Sequence, residues 1–199
     1  MKKFFPLIIG IIFFSCFNRS LSDELLEVPI SSQASSTIPK SMETSKIIYF
    51  ENGICKCPNG FPGDKEVINE VTYTVVDNST LVVQIKNENI YLCTSFVTDM
   101  SNLFLANDTF NSNINFWDTS GVINMKSMFK EAMKFNQDIS NWDTSSVIDV
   151  SGMFFYSTSF NQNIGTWIIT SVRDMGSMFK YASSFNQDIV SWDTSSAIN

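Results

Sequence analysis

The sequence predicts an α/β repeat solenoid, each 25-residue unit giving a short helix and a short parallel strand, behind a small N-terminal capping module. Columns of rare aromatic residues that return at a fixed step support this, as does a change of apolar period inside each unit. A polar tract also separates an apolar leader from the rest of the chain. Such units stack because none can bury its apolar face alone.

The chain opens on Met1-Lys2-Lys3, a positive start, and then an apolar run of 11 residues from Phe4 to Phe14, broken at Pro6 and Gly10. A membrane-spanning helix needs about 20 apolar residues, so this run reads as the core of an export signal. The segment Phe13-Phe14-Ser15-Cys16 resembles a bacterial lipobox, with two Phe where Leu and a small residue are usual. Residues 1–16 are therefore expected to be a signal peptide and lipobox, with Cys16 as the lipidated residue; an ordinary signal peptide is the alternative. Acyl chains on Cys16 would hold the protein to a membrane without a spanning helix. That places the chain outside the cytoplasm, at the cell surface or outer membrane. Residues 17–45 are Ser- and Glu-rich and lack the apolar content needed to offset chain entropy, so they read as a flexible tether.

Residues 46–93 form the expected capping module. Lys46–Phe50 and Val71–Val76 are β-like, Pro58–Asp64 is a loop rich in turn dipeptides, and Leu81–Lys86 fits either a short helix or a strand. If Cys16 carries lipid, three thiols remain: Cys55, Cys57 and Cys93. In an exported protein a disulfide from Cys93 to one of the other two is expected, and the choice of partner stays open. Three Cys with no His make a metal site the weaker reading.

The repeat region covers residues 94–199, with the last unit incomplete. Phe110, Phe135, Phe160 and Phe185 share a step of 25, and so do Ile114, Ile139, Ile164 and Ile189. Trp117, Trp142, Trp167 and Trp192 keep it, as do Asn111, Asn136, Asn161 and Asn186. Val147, Val150, Phe154 and Ser157 lie at helical spacing, and Ser146 and Ser171 stand where an N-cap would be, so a short helix is expected there. Asn136–Trp142 is short and polar with two apolar positions, which reads as a brief strand. The Phe, Ile and Met columns are core, and the Asn column is expected to bond turn backbone. The Trp column either seals the core edge or stands out as an aromatic strip for sugar rings. Asp118, Asp143 and Asp193 repeat in identical settings, which fits turn capping and not the two distinct environments of acid–base catalysis. The chain stops mid-unit at Ala197-Ile198-Asn199, which reads as truncation in preference to an end that pairs with another molecule.

Composition narrows the function. The chain has no His, a net charge of −7 and a pI near 4.5. The first removes the commonest general base, and the acidic balance excludes a nucleic-acid partner, which needs a basic footprint. No catalytic constellation, cofactor motif or metal-ligand spacing stands out, so the chain is expected not to be an enzyme.

The segment Phe135-Asn136-Gln137-Asp138-Ile139-Ser140-Asn141-Trp142-Asp143-Thr144-Ser145, followed by Val147 and Met153-Phe154, resembles the BspA-like leucine-rich-repeat surface proteins. Their 25-residue subclass occurs in mycoplasma lipoproteins and marine Bacteroidetes. Cys57-Pro58, Val71–Asp77 and Cys93-Thr94-Ser95 resemble the stretch before the repeats in the Bacteroidetes members. Ile168-Ile169 departs from the usual Asp-Thr, and Val150 from the usual Met. The resemblance implies a leucine-rich-repeat-like fold and a non-enzymatic lipoprotein that presents a repeat surface for protein recognition or adhesion. Its partner would be a surface protein or a polysaccharide. A carbohydrate-binding module using the Trp column and a truncated, non-functional fragment are the alternatives.

Overall fold

The computed structural model describes residues 46–199; the leader, Cys16 and the tether lie outside the described residues. The first elements are two tight hairpins. Strand β1 (Tyr49–Glu51) pairs antiparallel with β2 (Ile54–Lys56). Asn52 and Gly53 join them at φ 51° and 83°, both left-handed, as a two-residue turn matched to strand twist requires. Strands β3 (Lys65–Ile68) and β4 (Val71–Asp77) form the second hairpin through Asn69 and Glu70, also left-handed.

Asp77 then ends the strand and starts a helix. Its carboxylate accepts from the backbone N–H groups of Ser79 and Thr80, and the Thr80 hydroxyl accepts from the Asp77 N–H. This reciprocal cap opens α1 (Asn78–Lys86). The helix buries Leu81 and packs Ile85 on the core, which settles the ambiguous segment as helical. It carries the chain over to β5 (Leu92–Phe96), which lies parallel to β4 in a sheet of order β3-β4-β5.

The expected α/β repeat solenoid does not form. Helix α1 is the one α-helix among the described residues and precedes the repeats; no named strand follows β5. The repeat residues are turns, linked by isolated parallel bridges at Asp99–Asn124, Asn124–Asp149 and Asp149–Asp174. The fold is small β-sheets, one short helix, and a turn-built repeat region.

The reason lies in backbone sign. Overlapping turns close Met100 to Leu103, Asn102 to Leu105 and Phe104 to Asn107, each by an N–H reaching the carbonyl three residues back. Asn102 and Ala106 sit in the left-handed region, followed at the same step by Ser127 and Glu131, Gly152 and Tyr156, and Ser177 and Tyr181. Left-handed residues at that spacing forbid a helix through Val147–Ser157. Nor do Ser146 and Ser171 cap one: their hydroxyls donate to the carbonyls of Ser120 and Ser145 in the preceding unit. The backbone amides a helix would use internally point to the next unit instead. Met125, Ser127, Phe129 and Glu131 donate to the carbonyls of Asp149, Ser151, Met153 and Phe155 at 2.7–3.0 Å. Met100 to Ala106 do the same to the unit after them, and so do Val150 to Tyr156.

Side chains follow that register. Phe129 and Phe154 stack at 5.7 Å and 4°, Phe135 and Phe160 at 5.9 Å and 5°. With the Met, Val and Ile columns these rings make one continuous core, closed at its N-terminal side by Leu81, Leu92 and Val97. A second, smaller core gathers Ile48, Val75 and the three cysteines under the hairpins.

Candidate functional site

The tryptophans turn inward. Trp117 is fully buried and Trp192, the most open, is 9 % exposed. Each indole N–H donates to a backbone carbonyl of the preceding segment: Trp117 to Ile90, Trp142 to Ile114, Trp167 to Ile139 and Trp192 to Ile164, at 3.0–3.3 Å. The flat faces are spent on each other, Trp142 on Trp167 at 6.4 Å and Trp167 on Trp192 at 6.5 Å. A sugar ring finds no Trp face to lie on, which corrects the expectation of a Trp ligand strip.

The other columns are also occupied. The side-chain oxygen of Asn111 accepts from the Asn136 N–H, that of Asn136 from Asn161, and that of Asn161 from Asn186, at 2.8–2.9 Å. Gln137, Gln162 and Gln187 add their side-chain amides to the same oxygens. Asp118, Asp143 and Asp193 each accept the N–H two residues on, from Ser120, Ser145 and Ser195. Asp118 does more. It receives Lys56 at 2.9 Å and the Ser95 hydroxyl at 2.7 Å, tying β2 and β5 to the first repeat. Burial pushes its carboxyl up, but the hydrogen bonds from Lys56, Ser95 and Ser120 outweigh that and hold it below the usual range.

Cys55, Cys57 and Cys93 come together as free, fully buried thiols. Cys93 lies on β5 opposite Val75 of β4, and the Cys57 N–H donates to the Ser95 hydroxyl. Cys93 shares one small buried core with both other thiols. Its bond to Cys57 brings that thiol down to about 7 against the opposing effect of burial, with Ser95 assisting. Cys93 moves up, because hydrogen bonds to Cys55 and Cys57 and then burial all favour its protonated form. Among the described residues no set of His, Cys, Asp and Glu is arranged to hold a metal ion.

What remains open is a patch that the columns did not mark. Tyr156 is 41 % exposed and Tyr181 53 %, and their rings approach to 4.5 Å. Phe155 lies edge-on to both, 5.2 Å from Tyr156 and 5.5 Å from Tyr181. Lys130 sits over the Phe155 ring at 5.1 Å, and Lys180 over Tyr181 at 5.2 Å. The result is an amphipathic surface of aromatic faces, phenol hydroxyls and ammonium groups on a hydrogen-bonded backbone. Its sequence signal is faint: Tyr156 and Tyr181 keep the repeat step, but Ala106 and Glu131 occupy the same column. A second open feature, a shallow groove of about 520 Å³, is lined by Ser146, Ile148, Ser171, Arg173, Ser196 and Ile198, among others. Neither feature pairs a nucleophile with a base.

No curated protein and no solved structure matches the chain. A family model described as a Mycoplasma protein of unknown function, DUF285, matches residues 76–192, from the end of β4 to the last Trp. Among the described residues no helix is long and apolar enough to cross a membrane. The match takes in more than half of the chain, and the chain therefore belongs to the DUF285 family of Mycoplasma proteins of unknown function.

Proposed function

We propose that this is a non-enzymatic surface lipoprotein that recognises another protein, with Phe155, Tyr156, Tyr181, Lys130 and Lys180 as the contact patch. The observation that carries the reading is exposed aromatic area held on a rigid backbone. Tyr offers large contact area at low entropy cost and is enriched where interfaces are strongest. Tyr156 belongs to the ladder between units, donating its amide to the Lys180 carbonyl at 3.0 Å, and Tyr181 is the residue that follows that carbonyl. The patch is therefore preorganised, which lowers the cost of binding. The leader and Cys16 support export and lipid anchoring, and the resemblance to BspA-like proteins supports adhesion.

The test is a binding assay of the full chain against extracted surface proteins, run beside a Tyr156→Ala/Tyr181→Ala variant. The expected result is a captured protein whose affinity falls at least about thirtyfold in the variant, as the loss of two anchors of about 1 kcal/mol or more each implies. Equal binding by the two chains, or no captured protein, would sink the proposal. Turnover in a substrate screen would sink the non-enzymatic half of it.

A further inference from the structure

The three buried thiols are more than a packing cluster. Cys55 and Cys57 are alternate residues that point to one side of the β2 segment, and both are fully buried in the same small core. Cys93, on β5 opposite Val75, is fully buried in that same core of five residues. Strand β5 leads directly into the repeats, and β2 belongs to the hairpin at the start of the described chain. Two carboxylates border that core: Glu66 accepts from the Ile48 N–H at 2.8 Å, and Asp118 accepts from the Ser95 hydroxyl, which itself accepts from the Cys57 N–H. A thiol packed in one small core with two others can pair with either, and an odd thiol is left to attack the pair that forms.

We propose that Cys93 is the hub of an exchanging cystine, bonded in turn to Cys55 and to Cys57. The oxidant is a small-molecule disulfide that meets the chain as it folds. The Cys57 thiolate attacks one sulfur of that disulfide, and a mixed disulfide forms as one small thiolate leaves. Cys93 gives up its proton and attacks the Cys57 sulfur, expelling the second small thiol. Two protein thiols are oxidised by two electrons and one small disulfide becomes two thiols. Cys55, as thiolate, then attacks the Cys93 sulfur and releases Cys57, with no net change of oxidation state. The reverse step restores the first pair. A thiolate is the nucleophile in every step.

The sequence makes the site easy to map, because Lys56 lies between the two partner cysteines and trypsin cleaves after it. The full chain is refolded in a mixture of oxidised and reduced glutathione, quenched with acid, alkylated and digested. The expected products are two cross-linked pairs, the Cys93 peptide joined to the Cys55 peptide and the Cys93 peptide joined to the Cys57 peptide, with one alkylated thiol in each case. Variants Cys55→Ser and Cys57→Ser should each still bridge to Cys93 in full. Cys93 recovered alkylated in folded chains would overturn the proposal. So would a bridge to a single partner in the wild-type chain, or a Cys55–Cys57 pair. Folding is followed by intrinsic Trp emission in every sample, so that a variant that fails to fold is scored on the wild-type mapping alone.

Discussion

Asp77 shows how much one side chain can settle. Its carboxylate accepts from two amides and two hydroxyls, and the Thr80 hydroxyl, then Ser79, draw its titration down to about 2. An Asp77→Ala chain should lose about 1 kcal/mol of stability, measured as a shift in the urea midpoint. The contribution is present above the unfolded carboxyl value of about 3.9 and lost as pH falls through about 2, so wild type and variant should converge across that window. Trp142 is the second case, since its indole N–H is the partner of the buried Ile114 carbonyl. Trp142→Phe keeps most of the packing and leaves that carbonyl with the Trp117 N–H alone, so the lost hydrogen bond should cost about 0.5–1.5 kcal/mol in thermal or chemical unfolding. The fluorescence of the chain should be blue-shifted and resist quenching, because every Trp is buried. An emission maximum typical of solvent-exposed indole would contradict the inward column.

At the scale of the element, the aromatic columns do the work that helices were expected to do. Phe154 is fully buried between Phe129 and Phe179, at 5.7 Å from each. Phe154→Ala should therefore cost about 3–5 kcal/mol. Phe185, in the same core but half-buried, should cost clearly less on the same substitution, and the difference between the two midpoints checks the gradient along the array. The columns were legible because burial of a given side chain recurs wherever the step recurs. The helix was not. Overlapping turns bring Val147, Val150 and Phe154 to one side at the spacing a helix would use, so periodicity cannot separate the two. The residues that forbid the helix are Ser127, Glu131 and Tyr156, whose left-handed backbone leaves no mark in composition; Gly152 alone signals it. The same holds for the contact patch. Tyr156 and Tyr181 occupy a column that Ala106 and Glu131 leave unremarkable, and only the fold brings Lys130 and Phe155 beside them. The sequence led to a Cys93 disulfide, whereas the structure gathers all three cysteines in one buried core as free thiols, a convergence that only the pairing of β5 with β4 brings about.

Across the whole molecule, burial is uneven between units. Met125, Phe129, Phe135 and Ile139 are fully buried, whereas Met175, Phe179, Phe185 and Ile189 at the same positions are only partly so. A further 25-residue unit fused after Asn199, copied from Met125–Asp149, should cover them and raise the melting temperature by several degrees, read by circular dichroism. An unchanged melting temperature would mean that the units do not cooperate. The ladder itself has one more property. In an ordinary sheet neighbouring peptide dipoles largely cancel, but from Met125 to Glu131 and from Val150 to Tyr156 four N–H groups per unit face the next unit, against the Ile123 and Ile148 amides, which face the last. The dipoles add, as they do along a helix. Each unit lengthens the sum, with amide hydrogens leading from Met100 toward the later units and carbonyl oxygens trailing. The array of turns is thus polar along the direction in which its units succeed one another, so that in an electric field, or near a charged surface, it has a front and a back.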